Sequence, residues 1–600
     1  MSISANVSRT IERALRRLAD SGELGEKGPA AVAAAASWTV ERPKRPEHGD
    51  LATNAAMVLT KAVGMPPRAI AEKLVAALGG DDVVRSAEIA GPGFVNLRLH
   101  VRVFHDELAE ILLRGRGYGR AASATGERIN IEFVSANPTG PITVAAARNA
   151  IFGDAVARVL EASGARVVRE YYINDFGNQV RLFADSIAAI AEGREVGEDG
   201  YKGAYIEELA AFMQARDAGA FRDSEALSRA AIGWMLSGVP GSKTMMGIQR
   251  SLSMLGVFHD VWTSEESLHR WGRVPRTLAA LEAAGYLQRK DGALFFVGKG
   301  AESEDKDRVV QKSDGNYAYF ASDLGYLADK MDRGFDRLLI VLGVDHHGYV
   351  PRFKNAFEAL GHAPDKFEAL LYNFVYVVRD GEIVKSSKRA GNVVTSDEVI
   401  EEIDAAAGRV GAGKDALRFI YLSRSANVKL DFDIELAKKS SLENPVFYVQ
   451  YGHARLCSIL RKAGELGIAT RTDLTVAQWE SLVHPDELAI AMRLSELPAL
   501  IANAAETREP HKIAFYVQDL ARDFQSYFTR LKADPILPRD SDRAVAGWET
   551  RWDMNKTAAR LAWVQATRVV YRTALELLGV DAVERMDRPA DAEAAEEDGA

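Results

Sequence analysis

Residues 135–154 read SANPTGPITVAAARNAIFGD, and they decide the fold of the surrounding chain. The alternating apolar residues just before them, at 129–133, predict a β-strand. Apolar residues then recur at helical spacing over 147–159, and Gly164 supplies a stop. A strand, a turn of small residues and a helix N-terminus predict a phosphate site, because free backbone N–H groups and the helix dipole point at an anion.

Strands and helices alternate outward from this stretch, over residues 125–400. Strands are predicted at 129–135, 167–173, 338–342 and 371–378. Such alternation is typical of α/β proteins with a Rossmann-type, doubly wound parallel sheet. The interval of about 181–300 breaks this rhythm and is mostly helical, which predicts an insertion into the sheet domain.

Two further domains and a tail are expected around the sheet domain, because 600 residues exceed what one hydrophobic core accommodates. Residues 1–110 predict an α+β domain that closes with the strand-forming stretch GPGFVNLRL. Residues 401–586 predict an all-α domain. The segment 587–600 holds six acids and one arginine, and we expect it to be disordered.

The composition is that of an ordinary globular protein, with 47% hydrophobic and 26% charged residues. The net charge of −9 does not exclude a nucleic-acid partner, because a local basic face is sufficient for binding. The single Cys457 excludes an internal disulfide and a cysteine zinc site, and we predict no metal centre. Apolar runs are too short for a membrane span, and the N-terminus lacks a secretory centre. We therefore expect a cytoplasmic monomer without a membrane partner.

A basic loop, Lys385-Ser386-Ser387-Lys388-Arg389, follows the last predicted strand of the sheet domain and continues as AGNVVT. Lysines on a small, polar loop can wrap a polyphosphate and follow negative charge as it moves to a leaving pyrophosphate. Taken alone, such a loop also fits a solvated basic surface. Its position after a strand of the same sheet favours the functional interpretation.

A third motif, GVDHHGYV at 343–350, directly follows the predicted strand 338–342. In an open α/β sheet, ligands bind at the carboxyl ends of strands, which is where this motif falls. Adjacent histidines suggest a metal site, but neighbouring residues point apart and no third ligand accompanies them. Turn formation and hydrogen bonding are the better interpretation of the pair.

Together these motifs resemble the arginyl-tRNA synthetases of class I, and they occur in that family's order. The family pattern SANPTGP-x-HVGHARGA-xx-GD matches 135–154, KMSKR matches 385–389, and GADHHGYV matches 343–350. DALRFIYLSRSAN at 415–427 resembles the helical anticodon-binding domain that is named after its DALR string. The α+β domain at 1–110 resembles the family's additional N-terminal domain, which contacts tRNA.

The resemblance implies an arginine–tRNA ligase. Such an enzyme condenses L-arginine with ATP to arginyl-adenylate and passes arginine to the 3′ end of tRNA(Arg). ATP enters with Mg²⁺, and no bound prosthetic group is implied. The implied catalytic residues are Lys385 and Lys388. The implied ATP-binding residues are Pro138, Thr139, Gly140, Thr143, Ala146, Gly343, Asp345, His346 and Ser387.

A guanidinium group offers five donors in a planar fork, so its site needs carboxylate and aromatic or carbonyl partners. Tyr319 and Asp323 match the family's Tyr-xxx-Asp pair, which holds the substrate side chain. The implied arginine-binding residues are Ser135, Asn137, Tyr319, Asp323 and His346.

On the tRNA side, stacking and charge suit a single-stranded loop. The resemblance implies Tyr448, Tyr451 and Arg455 as the residues that supply them. From the residues alone, the two tyrosines fit a helix core as well as a groove.

The four positions of the family's HVGH are here Thr143, Val144, Ala145 and Ala146, so both histidines are missing. Losing one transition-state donor typically costs about 10²–10³ in rate. One interpretation is a ligase that is slow or compensated by other groups, which the retained lysines favour. The alternative is a non-housekeeping paralogue with weak or no adenylation, acting in arginine, nucleotide or tRNA binding or in regulation. TVAA favours that alternative, as do Asn149 in place of Gly and Leu327 in place of His.

Overall fold

A five-stranded parallel sheet lies at the centre of the computed structural model, which describes residues 2–35, 38–121, 126–297, 308–384 and 393–587. Each strand pairs in parallel with its neighbours. In spatial order the strands are Val261–Ser264, Arg166–Ile173, Arg128–Glu132, Arg337–Gly343 and Phe367–Tyr372. Numbered along the chain, this is the order 3-2-1-4-5 of a doubly wound fold, which confirms the predicted fold class.

Two details of the predicted sheet are wrong. The strand expected at 371–378 is two strands: Phe367–Tyr372 ends the parallel sheet, and Val375–Arg379 belongs to a separate sheet with Glu382–Ile383 and Leu430–Asp433. The chain leaves the first sheet at Asn373, whose N–H donates to the Ala426 carbonyl oxygen at 2.8 Å.

The interval 181–300 is also more than an insertion, because it contains the sheet strand Val261–Ser264. All four residues of that strand are half-buried, so it has no alternating pattern to reveal it.

Helices cover both faces of the parallel sheet, and two separate hydrophobic cores result. One core includes Ile131, Leu339 and the helix Ala147–Ala162; the other includes Leu338 and the helix Tyr319–Asp332. The remaining helices between residues 178 and 407 are Asn178–Ala191, Ala204–Arg216, Ser224–Ser237, Ile248–Met254, Glu265–Arg270, Arg273–Ala283, Val350–Ala359 and Ser396–Ala407. A small antiparallel sheet, Leu287–Lys290, Ala293–Phe296 and Arg308–Gln311, extends this part of the chain.

The N-terminal part is α+β, as predicted. Its antiparallel sheet has the spatial order Val40–Glu41, Leu51–Thr53, Phe94–Leu99 and Val84–Ala90. Its helices are Ile3–Asp20, Gly28–Ala34, Ala55–Val63, Pro67–Ala77 and Val101–Arg114. The last of these packs against the C-terminal domain, where the His105 ring lies 2.9 Å from the Leu482 carbonyl oxygen.

The C-terminal part is almost wholly helical. Its helices are Ala412–Leu422, Ile434–Lys438, Pro445–Glu465, Val476–Trp479, Pro485–Ser495, Leu497–Thr507, His511–Arg530, Asp540–Arg543 and Met554–Leu578. The stretch Pro485–Thr507 is long and apolar enough, by composition alone, to cross a membrane. Half of its apolar window is buried inside the protein, which is the behaviour of a core helix pair.

Buried arginines join the C-terminal domain to the helix Ala147–Ala162. Arg418 donates to the Asp154 carboxylate at 2.6 Å and to the carbonyl oxygens of Leu578 and Leu255 at 2.7 and 3.0 Å. Arg148 donates to the carbonyl oxygens of Asn373, Val428, Ser425 and Phe374. The helix that follows the SANPTGP stretch is therefore fixed from both the sheet and the helical domain.

Candidate active site

The cleft of this protein opens where the strand order reverses, between Arg128–Glu132 and Arg337–Gly343. The two strands pair from Ile129–Arg337 to Glu132–Ile340 and then separate. The chain leaves the first strand toward the helix Ala147–Ala162 and the second into the turn Val344–Tyr349. The crevice at such a reversal, at the carboxyl ends of the strands, is the expected ligand site in a doubly wound fold.

The turn after the first strand has an unusual backbone. Val134 and Ser135 have φ of +69° and +37°, a region that non-glycine residues rarely adopt. Hydrogen bonds hold Ser135 in place: its hydroxyl donates to Glu132 at 3.0 Å and accepts from the Tyr172 N–H at 3.0 Å. Such strain persists where the surroundings over-determine the conformation, and it is common in ligand sites.

Asn137 lies at the exposed tip of this turn. Its amide donates to Gln179 at 2.7 Å, and its oxygen accepts from Asn174 at 3.0 Å. These hydrogen bonds between three amides hold the Asn137 side chain in place at the tip of the turn. Ser135 and Asn137, two of the predicted arginine-binding residues, are thus brought together.

Pro138, Thr139 and Gly140 are buried and form the wall of the turn. Thr139 is 3% exposed, and Tyr205 donates its hydroxyl to the Thr139 carbonyl oxygen at 3.1 Å. The ATP-binding role implied for these three residues stays a prediction.

The segment Thr143–Ala146 has one polar side chain, that of Thr143, and its hydroxyl is hydrogen-bonded within the protein. The Thr143 hydroxyl accepts from the Ala146 N–H at 3.0 Å, so it caps the start of the helix Ala147–Ala162. Ala146 itself provides no side-chain cap. The N–H groups of Ala147, Arg148 and Asn149 donate to the carbonyl oxygens of Thr143, Ala145 and Ala146, so the free donors expected at this helix start are already paired. The helix dipole remains as the attraction for an anion on this side of the cleft.

The same segment is joined to the chain that follows the basic loop. Thr143 forms an antiparallel bridge with Thr395, and the Val144 N–H donates to the Val394 carbonyl oxygen at 3.1 Å. Lys385, Ser387 and Lys388 lie outside the described residues, so their predicted roles stay predictions. The bridge shows only that Val394 and Thr395, in the described chain after the loop, lie beside the phosphate turn.

On the opposite side of the cleft, the GVDHHGYV motif forms the end of the strand Arg337–Gly343 and a 3-10 turn. Asp345 and His346 are exposed, with 3.6 Å between the imidazole Nε2 and the carboxylate. A Cβ atom on Gly343 would lie 2.4 Å from an Asp345 carboxylate oxygen, so the two residues approach closely in this turn. Gly343, Asp345 and His346 are therefore placed where the fold exposes ligand contacts.

The helix Tyr319–Asp332 supplies the floor of the cleft. Tyr319 is 64% exposed at its first turn, and Asp323 follows one turn later, half-buried on the same side. Burial, together with the nearby Glu265 and Glu132 carboxyls, raises the pKa of Asp323 to about 7. The predicted Tyr-xxx-Asp pair is thus in a pocket where a negative charge is costly without a partner.

A second carboxyl in this pocket, Glu265, was missed by the sequence analysis. It begins the helix Glu265–Arg270 directly after the sheet strand Val261–Ser264, and it is 3% exposed. Burial raises the pKa of Glu265 to about 7, and the Ser322 hydroxyl counters part of that effect. The only sequence signal near Glu265 is the short strand VWTS at 261–264, in which apolar and polar residues do not alternate.

Two of the other carboxylates near the pocket are already paired with cations. Lys330 pairs with Glu132 at 2.5 Å, and Arg333 pairs with Glu170 at 2.8 Å. Among the described residues, neither Asp323 nor Glu265 has such a cationic partner. The pocket therefore ends in two buried carboxyls that a cationic ligand would stabilise.

The predicted tRNA-binding residues lie on the helix Pro445–Glu465, but they differ in exposure. Tyr451 is only 8% exposed, and Tyr448 is half-buried. The Arg455 guanidinium lies over the rings of Tyr451 and Phe528, at 5.0 and 4.6 Å from their centroids. The Tyr451 ring thus packs against the Arg455 guanidinium. The more exposed ring at this groove is Phe528, 39% exposed, which the sequence did not predict.

Family models match the chain in three consecutive parts. The model described as the catalytic domain of tRNA synthetases class I (R) matches residues 107–416, more than half of the chain. The arginyl tRNA synthetase N terminal domain matches 5–99, and the DALR anticodon binding domain matches 449–586.

Solved structures agree with these matches. A structure from Campylobacter jejuni, provisionally assigned as an arginyl-tRNA synthetase, has 28% identity and a TM-score of 0.68, covering 81% of this chain and 100% of that one. Arginyl-tRNA synthetases from Thermus thermophilus (23% identity, TM-score 0.71, 97% and 100% covered) and Plasmodium falciparum (15%, 0.68, 98% and 99%) share the fold.

The parallel sheet, the cleft at its reversal and the helical C-terminal domain are those of a class I aminoacyl-tRNA synthetase. Within that class, the match over more than half of the chain decides the family. The chain belongs to the arginyl-tRNA synthetases. It is an arginine–tRNA ligase that uses ATP.

Proposed function

We propose that this chain activates L-arginine with ATP, supplied as its magnesium complex, in the cleft between Arg128–Glu132 and Arg337–Gly343. The activated arginine is then transferred to the 3′ end of tRNA(Arg). The observation that carries this proposal is the pair of buried carboxyls, Asp323 and Glu265, without a cation of their own. A guanidinium group is permanently charged and presents several donors to such a pair.

The geometry divides the substrate between three sets of groups. The guanidinium is directed to Asp323 and Glu265, with the exposed Tyr319 ring at the mouth of the pocket. Asn137, at the tip of the strained turn, is directed to the α-amino end. The carboxylate of arginine then points toward the phosphate turn, where its oxygen attacks the α-phosphorus and pyrophosphate leaves. In the second step, a ribose hydroxyl of tRNA attacks the adenylate carbonyl and AMP leaves.

Phosphate stabilisation at the turn relies on the helix N-terminus, the backbone and the predicted Lys385 and Lys388. The helix dipole at the start of Ala147–Ala162 favours an anion there, although the N–H groups of its first turn donate within the protein. Among the described residues, no group of three or more histidine, cysteine or acidic side chains is arranged to hold a metal. We therefore assign the magnesium to the nucleotide, as part of the substrate.

For the nucleic acid, we propose a groove on the C-terminal domain that combines Arg455 with the Phe528 ring. The same groove, with a volume of about 700 Å³, is lined by the further cations Arg461, Lys462, Arg539 and Arg585. Stacking on an exposed ring and contacts from cations suit an unpaired loop of tRNA. We also propose that the protein works as a cytoplasmic monomer.

The test is arginine-dependent exchange of pyrophosphate into ATP, measured with and without added tRNA(Arg), followed by charging of that tRNA. We expect exchange that requires the tRNA, since both domains that resemble tRNA-binding modules are retained. Exchange with an amino acid other than arginine would contradict the proposed substrate. Arginine binding without any exchange would instead favour the paralogue that binds without adenylation, which no family match supports.

A further inference from the structure

One buried amide joins the two sides of the cleft. Asn149 lies in the first turn of the helix Ala147–Ala162 and is 6% exposed. Its side-chain oxygen accepts from the Val134 N–H at 2.6 Å, and its side-chain nitrogen donates to the Val341 carbonyl oxygen at 3.2 Å. The family pattern has glycine at this position, so this pair of bonds is a property of the present side chain.

The position of this amide in the sheet explains its two bonds. Strand pairing across the cleft ends at Glu132 and Ile340, and the next residues on each side diverge. The Val341 carbonyl oxygen and the Val134 N–H lie just beyond that last pair. The Asn149 amide spans them with its oxygen as acceptor and one of its two N–H groups as donor, in the manner of one additional rung of the sheet. The Tyr372 side chain is a further partner of this amide.

The two backbone partners of Asn149 differ in how much they need it. Val341 remains paired in parallel with Leu370, so its strand is held without the amide. Val134 has φ of +69°, a conformation that is strained for a β-branched residue. The hydrogen bond from its N–H is therefore important for keeping the turn in this conformation.

We propose that Asn149 is a positioning residue for arginine, because it fixes the strained turn that carries Ser135 and Asn137. This inference rests on the proposed function of the cleft. Loss of the amide releases the turn, which carries the arginine contacts, and leaves the strand Arg337–Gly343 in place. The affinity for arginine is thus expected to fall while the affinity for ATP is retained. A residue with a purely structural role would affect both substrates, or neither.

The experiment compares Asn149→Ala with the wild-type full-length chain by calorimetric titration with arginine and by KM for arginine and for ATP in exchange. We expect the arginine Kd and KM to rise at least about tenfold, since the strained Val134 backbone loses the hydrogen bond that holds the turn, and the ATP KM to stay within about twofold. Asn149→Gly should raise the arginine Kd and KM as Asn149→Ala does, although glycine is the residue of the family pattern at this position. Equal arginine affinity in wild type and Asn149→Ala, or an equal rise in both KM values, would overturn the inference.

Two controls separate positioning from folding. Asn444→Ala removes a similarly buried amide, with bonds to the Ala437 and Lys439 carbonyl oxygens, from the C-terminal domain, and should leave the arginine Kd unchanged. Val134→Gly accepts a positive φ without strain, so the double variant Val134→Gly/Asn149→Ala should regain most of the arginine affinity, even where Asn149→Ala alone folds poorly. A double variant as weak as Asn149→Ala would refute the proposed role. A wild-type chain that binds no arginine would instead refute the proposed function.

Discussion

The arginine pocket and the phosphate turn lie in one cleft, but they differ in what their side chains can offer. The pocket holds Asp323 and Glu265, near the cation-paired carboxylates of Glu132 and Glu170. The segment Thr143–Ala146 holds one hydroxyl, which already caps a helix. Selection of the amino acid and stabilisation of the reacting phosphate therefore depend on separate groups. The chain has the carboxyls for the first and lacks the two imidazole donors of the family pattern for the second.

That difference has an energetic meaning. Groups that bind substrate and transition state equally lower KM, whereas groups that act only on the transition state raise kcat. The carboxyls of the pocket belong to the first kind, and the missing histidines belong to the second. We therefore expect an enzyme with ordinary selectivity for arginine and a low rate of adenylation.

The largest effect is expected from Asp323→Asn. Without this charge, a guanidinium group would be buried with one carboxyl fewer, so kcat/KM for arginine should fall by about 10²–10³. Exchange kinetics at varied arginine concentration measure this change. Asp332→Asn, at the exposed end of the same helix, is the matched control and should keep near wild-type kinetics. A loss of less than threefold in Asp323→Asn would remove this residue from the pocket's function.

The next effect tests the other side of the comparison. The triple variant Thr143→His/Ala145→Gly/Ala146→His restores both imidazole donors and should raise the adenylation rate at least about tenfold. Single-turnover formation of arginyl-adenylate is the appropriate measurement, and arginine affinity should stay constant. If the rate does not rise, groups elsewhere compensate for the two missing imidazole donors, and their loss does not slow adenylation.

A pH titration tests the pocket itself. Burial raises the pKa of Asp323 and Glu265 to about 7, so these carboxyls hold protons in the free enzyme at pH 6 and lose them by pH 8. Guanidinium binding requires the charged forms, so arginine affinity should rise about tenfold over this interval, with proton release on binding. Calorimetry in buffers of different ionisation enthalpy measures both quantities. An affinity that is flat between pH 6 and 8 would contradict the raised pKa values.

The same groups set the sign of a stability change. The folded chain binds more protons than the unfolded chain between about pH 4 and 7, because both carboxyls have raised pKa values when folded. Their contribution to the free energy of unfolding therefore falls as the pH rises through this window and levels off above it. Added arginine should consequently raise the melting temperature more at pH 8 than at pH 6.

The smallest effect is expected from Thr143→Val, which keeps the shape and removes the hydroxyl. Loss of the cap on the Ala146 N–H should lower the free energy of unfolding by about 1 kcal/mol. The exchange rate should change by no more than about twofold, because this hydroxyl is occupied by the helix. Denaturant unfolding and exchange assays decide the matter. A tenfold slower exchange would show that Thr143 substitutes for an imidazole donor.

The sequence was sufficient for the parallel fold class and for the strand and helix on either side of the turn, because alternation and helical spacing are strong local signals. The Tyr319–Asp323 pair has no such signal, and only the resemblance to the family pointed to it. Glu265 escaped prediction because it follows a strand of four half-buried residues, which has no periodicity. Tyr451 proved buried beneath Arg455, since helical spacing alone does not distinguish a groove from a core.

The buried pair Arg418–Asp154 has a consequence for the whole molecule. Separation of the helical domain from the sheet domain would remove the carboxylate partner of Arg418, at a cost of about 3–5 kcal/mol, whereas Asp154 would keep Arg158 and Arg169. The two domains should therefore melt as one cooperative unit, with a single calorimetric transition. A catalytic fragment that ends before residue 415 lacks the Arg418 bonds to Asp154 and Leu255, and it should melt at a lower temperature than the full chain.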